Sequence, residues 1–181
     1  MSETPSDALA SAADVEAYAA RLYGGTCPAP VPGVSHVTAC WRRPGALPTS
    51  PLVTLKINEH TPKSAADTFA LGFARARADA MLVTGKLLRD EPATTFGLPG
   101  PGAPALARYR QEIALRYDAP LLVVLTKSGA VDPGHLAFGR GERELAAPRP
   151  LVLTGPEGAE VLAPKLEGTG VELQVLDALD P

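Results

Sequence analysis

The sequence predicts an α/β protein: a mostly parallel sheet flanked by helices. Three observations predict it. Strand-like apolar runs recur along the chain, segments of helical periodicity separate them, and some runs are apolar without a break. Alternating strands and helices build parallel sheets, and unbroken apolar strands are typical of sheets covered on both faces. At 181 residues and 45% hydrophobic, the chain can bury a core of its own.

The elements follow in order. Asp14–Tyr23 reads as a helix, with Val15, Tyr18, Ala19 and Leu22 on one stripe and Gly24-Gly25 ending it. A proline-rich connector leads to Ser50. Residues 1–50 are thus expected to form an N-terminal helix and extension, and residues 51–181 the main domain. That domain opens with "PLVTLKIN", Pro51–Asn58, where Val53, Leu55 and Ile57 alternate with polar residues at the period of a strand. Ser64 is the expected N-cap of the next helix, with Asp67 in the capping-box position and Phe69, Phe73 and Ala76 on its buried stripe.

A buried strand is expected at Ala80–Val83, running into a polar turn at Thr84-Gly85-Lys86. A Gly/Pro loop then precedes a helix from about Pro104 to Tyr117, its inner side carrying Leu106, Tyr109 and Ile113. "APLLVVLTKSG" predicts a strand covered on both faces. "RPLVLTG" at Arg149–Gly155 repeats the form. A short helix, Glu157–Leu162, and a last strand, Val171–Leu176, complete the series. The 19 prolines cluster between these elements as loops.

Composition narrows the function. With a net charge of −3 and no cluster of Lys and Arg, nucleic acid is not an expected partner, because phosphate backbones demand a basic patch. No apolar stretch reaches the roughly 18 residues of a membrane span. No basic segment followed by an apolar block marks the N-terminus as a secretory signal, so a cytoplasmic location is expected. Cys27 and Cys40 then read as free thiols. With His36 they make only three ligands and no Cys-x-x-Cys pair, so no metal is expected.

Ligands of open parallel sheets bind outside the carboxyl ends of the strands. Four such ends are polar here: Lys56 and Asn58, Thr84-Gly85-Lys86, Thr126-Lys127-Ser128, and Thr154-Gly155. Glycine admits a ligand to the backbone, hydroxyls donate to phosphate oxygens, and lysine brings charge. Together they point to an anionic or nucleotide-like ligand. "VTGKL" is not a phosphate-binding P-loop, because Ala80 stands where that loop needs its first Gly. "GRGERE" at Gly139–Glu144 follows no strand and lacks the third Gly of a dinucleotide fingerprint. His36, His60 and His135 read as solvated loop residues. Asp79 and Asp90 flank the key strand, but capping or solvation explains either, and no catalytic acid is singled out.

The order of motifs resembles the C-terminal reductase domain of bifunctional riboflavin-biosynthesis deaminase–reductases, in the dihydrofolate-reductase-like superfamily. "LVTLKIN", "RARADAMLVTGKLLRDEP", "APLLVVLTKSGAVDP" and "RPLVLTG" carry the resemblance over about Pro51–Asp177, and Arg75–Pro92 is its most specific part. It implies a sheet that binds NADPH along its carboxyl edge and a hydride transfer that reduces a pyrimidine ribose-phosphate to its ribityl form. It also implies that Thr84, Gly85 and Lys86 meet the cofactor phosphates, with Arg89 beyond the turn. Thr126, Lys127 and Ser128 would hold a 2'-phosphate, Thr154 would close the adenosine side, and Thr54, Lys56 and Asn58 would face the substrate.

This sequence departs from the family pattern at three places. Thr54-Leu55-Lys56-Ile57-Asn58 replaces Ser-Leu-Asp-Gly-Lys, and Thr84-Gly85-Lys86-Leu87 replaces Gly-x-Gly-Thr. The sequence also ends before the strand leading to Glu-Gly-Gly, so the last strands of the fold are expected to be missing. These departures support an alternative, a catalytically inactive binding or interaction module on the same fold, whose exposed sheet edge would favour homodimers. An unrelated α/β protein binding nucleotides or sugar phosphates is the third reading.

Overall fold

The computed structural model describes residues 9–29, 32–34, 45, 47–50, 64–139 and 149–177, together with the backbone of residues 40, 41, 53 and 54. Among these, four parallel strands form the central sheet: β3 (Ala80–Thr84), β4 (Leu121–Leu125), β5 (Leu151–Thr154) and β6 (Glu172–Val175), in the order β3-β4-β5-β6. A separate antiparallel pair joins β1 (Cys40–Trp41) to β2 (Val53–Thr54). Of the strand expected over Pro51–Asn58, only β2 is described; residues 55–58 lie outside the described residues.

Helix α1 (Ala12–Leu22) begins at Ser11 with a closed capping box. The Asp14 N–H donates to Ser11 Oγ at 3.2 Å, and the Ser11 N–H donates to the Asp14 carboxylate at 2.9 Å. Ser64 caps α2 (Ala65–Arg77) as expected, accepting from the Asp67 N–H at 3.2 Å. Phe69, Phe73 and Ala76 are buried on that helix, as the periodicity predicts.

Helix α4 (Ala103–Glu112) stops before its expected end at Tyr117. Leu115 adopts a left-handed φ of 53°, which no α-helix continues. Ile113, expected on the buried side, is therefore 44% exposed.

Two cores result. In the first, Val15 and Ala19 of α1 meet Phe69 and Phe73 of α2 and Leu106 and Tyr109 of α4. Phe73 sits at the centre, stacked on Phe69 at 5.7 Å and tilted against Tyr109 at 5.2 Å. Arg110, almost fully buried, ties this bundle to the sheet. Its guanidinium donates to the carbonyls of Ala76 at 3.0 Å, Ala78 at 2.6 Å and Asp118 at 2.5 Å. These carbonyls leave the end of α2 and the approach to β4, so one side chain fixes where two strands start. Beside it Arg116 grips the Asp79 carboxylate with two nitrogens, at 2.6 and 3.1 Å.

The second core lies on one face of the sheet. Leu122, Val124 and Val152 point into it, and Leu88, Val131, Phe138, Leu162 and Leu166 cover them. Those covering residues come from parts of all three connections between the strands, so each connection helps to cover this face. The other face carries Leu82, Leu121, Val123, Leu125, Leu151 and Leu153, none of them fully buried, and Leu82 is 67% exposed.

This overturns two expectations. The unbroken apolar run of β4 is buried on alternate residues only, and β3, outermost in the sheet among the described residues, is half-exposed rather than buried. Composition shows that a strand is apolar; where its neighbours' connections lie decides which face is covered.

The remaining boundaries shift outward or inward by a few residues. The helix expected at Glu157–Leu162 extends over Pro156–Leu166 as α5, tolerating Pro164, and the last strand spans Glu172–Val175.

Candidate functional site at the carboxyl edge of the sheet

Parallel pairing places the strand exits side by side. Thr84 is the register partner of Leu125, and Leu125 of Leu153, so Thr84, Thr126 and Thr154 end three adjacent strands. Thr126 continues the ladder, its N–H donating to the Leu153 carbonyl at 3.0 Å.

Glycine permits the close approach at two points. A Cβ on Gly85 would lie 3.2 Å from Thr126 Oγ1 and 3.0 Å from Val131. A Cβ on Gly158 would lie 2.1 Å from Thr154 Oγ1 and 2.8 Å from the Lys127 carbonyl. The exits after β3, β4 and β5 thus form one continuous polar seam.

Much of that seam is committed to the fold. Thr84-Gly85-Lys86, read from sequence as a polar turn, is the start of a short helix, α3 (Gly85–Asp90). Thr84 is its N-cap, accepting from the Leu87 N–H at 3.2 Å. Lys86 pairs with Asp90 one turn on. Arg89 donates to the Ala130 carbonyl at 2.6 Å, stitching α3 to the loop after β4. A small residue and a glycine after a strand are as good a helix cap as a ligand loop, which is why sequence alone does not separate the two.

The other exits are less occupied. Lys127 and Ser128 are exposed. Ser128 Oγ accepts from the Ala130 N–H at 3.3 Å, and its proton meets no acceptor among the described residues. Thr154 is fully buried, and its Oγ1 is a buried side-chain oxygen with no hydrogen-bond partner among the described residues. It rests against the first turn of α5, whose N-cap, Gly155, offers no side chain to the helix N–H groups. Of the residues expected to face a substrate, Lys56 and Asn58 lie outside the described residues, and Thr54 is placed by its backbone in β2.

Two features escaped sequence reasoning. His135 is buried rather than solvated. Its Nδ1 accepts from the Ala137 N–H at 3.0 Å, and its Nε2 faces the carbonyls of Leu88 at 3.1 Å and Glu91 at 3.3 Å. That network assigns the proton to Nε2, and the ring pins the loop after β4 onto α3. His36 and His60 lie outside the described residues.

The second feature is an open hollow of about 410 Å³ lined by Pro133–Leu136, Phe138, Gly139, Pro150 and Thr169–Gly170. Pro150 and Gly170 precede β5 and β6, so the hollow lies at the opposite, amino edge of the sheet. The strand order also runs without reversal, so the crevice that opens at a topological switch point is absent among the described residues.

Neither the protein-family models nor the curated proteins contain a match to this chain. The resemblance therefore rests on the motifs alone. What the structure adds is the α/β architecture and the convergence of the strand exits.

Proposed function

We propose that the seam of strand exits binds the phosphate-bearing part of NADPH, and that the chain is an NADPH-dependent reductase of the riboflavin-biosynthesis type. The observation that supports this reading is the adjacency of Thr84–Gly85, Thr126–Ser128 and Thr154–Gly155 on three neighbouring parallel strands. The donor set suits phosphate. Lys127 supplies an exposed cation, Ser128 a hydroxyl proton, and the first turn of α5 N–H groups without a side-chain cap. Bound NADPH would supply the hydride; the protein's part is to hold and orient it. Thr84, Gly85 and Arg89 act in this reading as the frame of the site, since their polar groups or surfaces are already engaged in the fold. Titration with NADPH, followed by nicotinamide fluorescence, tests the proposal. Saturable binding is expected, and absence of binding at millimolar cofactor overturns it.

A second reading, an inactive binding module on the same architecture, is favoured by one observation. Thr84, Lys86 and Arg89 direct their hydrogen bonds to Leu87, Asp90 and Ala130 rather than outward. NADPH that binds but is not oxidised with any pyrimidine or pterin substrate selects this reading. Binding of ADP-ribose that NADPH fails to displace selects a nucleotide-binding protein of another kind.

A further inference from the structure

We draw no further inference here: the strongest candidate, the apolar outer face of the four-stranded sheet formed by Leu82, Leu121, Val123, Leu125, Leu151 and Leu153, carries nothing because nothing in the structure shows what covers it.

Discussion

Thr154 Oγ1 fills the space that a side chain on Gly158 would need, and the two residues lock the end of β5 to the first turn of α5. A Cβ at position 158 would also stand 2.8 Å from the Lys127 carbonyl and 3.0 Å from the Gly129 nitrogen. Three neighbours, two of them backbone, would have to move. Helix propensity alone favours Ala over Gly by about 1 kcal/mol. Overpacking costs about 1–3 kcal/mol, and more where the backbone is fixed. Gly158→Ala is expected to destabilise the protein by about 2 kcal/mol in urea denaturation. A stabilised variant would show that the helix start yields freely. Thr154→Val acts with the opposite sign. It replaces an orphaned buried hydroxyl, which costs about 1–3 kcal/mol when left unpaired, by a methyl of nearly equal shape. Its urea midpoint is expected to rise.

Acid sensitivity follows from two carboxylates. The Asp14 carboxyl is held below its ordinary 3.8 by the Ser11 hydroxyl first and by the Ala10 and Ser11 N–H groups next. Asp79 is likewise lowered from 3.8, chiefly by its hydrogen bonds to Arg116. A carboxylate whose folded pKa is depressed adds stability that is fully present above its unfolded pKa. That stability is lost as the pH falls through the folded value. These two carboxylates should therefore leave unfolding midpoints level between about pH 5 and pH 8 and lower them below about pH 4. Asp79→Asn should flatten part of that fall. An unchanged acid profile in this variant would show that the Asp79–Arg116 pair does not contribute.

The two faces of the sheet should answer differently to truncation. Val124 is fully buried, and Val124→Ala is expected to cost about 2–3 kcal/mol through lost burial and the cavity left behind. Leu82→Ala removes more carbon but from a side chain 67% exposed, and should cost about 1 kcal/mol or less. Equal costs, measured by urea denaturation, would mean that Leu82 is covered in solution.

Lys127 provides the sharpest test of the cofactor reading. Lys127 is exposed and follows directly on Thr126, so removing its charge should leave the fold intact. Lys127→Ala is expected to weaken NADPH binding about tenfold, the scale of one charge-assisted contact, and to weaken NADH binding much less. Equal losses for both cofactors would remove Lys127 from any role in recognising a 2'-phosphate.

Much of the architecture was legible because local chemistry and tertiary structure agree. Ser64 with Asp67, the Phe69–Phe73–Ala76 stripe and the strand runs at Leu121–Leu125 and Leu151–Thr154 all stand where the pattern puts them. The helix at Gly85–Asp90 was not legible, because Thr-Gly-Lys after a strand serves a helix cap and a ligand loop equally well. Burial of β3 and β4 was over-read, since apolar composition carries no record of which face the connections cover. Burial of His135 is not legible in the sequence, because no periodicity surrounds it and its ring depends on carbonyls more than forty residues earlier in the chain. At the candidate site, the convergence of the threonine-bearing exits followed from parallel pairing. What sequence could not reveal was how many of those polar groups the fold itself would consume.

The uninterrupted order of the four strands has a bearing on how the molecule is made. Among the described residues, β4, β5 and β6 each dock against the strand synthesised immediately before, and none inserts between two earlier ones. The sheet can therefore grow outward from β3 while translation proceeds, adding one strand and one covering connection at a time. Each crossover is long, but closure cost grows only slowly with length, by about 0.6 kcal/mol per doubling, so pairing strands that are neighbours in sequence keeps that cost below that of pairing more distant ones. Assembly of this half of the protein is thus suited to begin on the ribosome, ahead of release of the finished polypeptide.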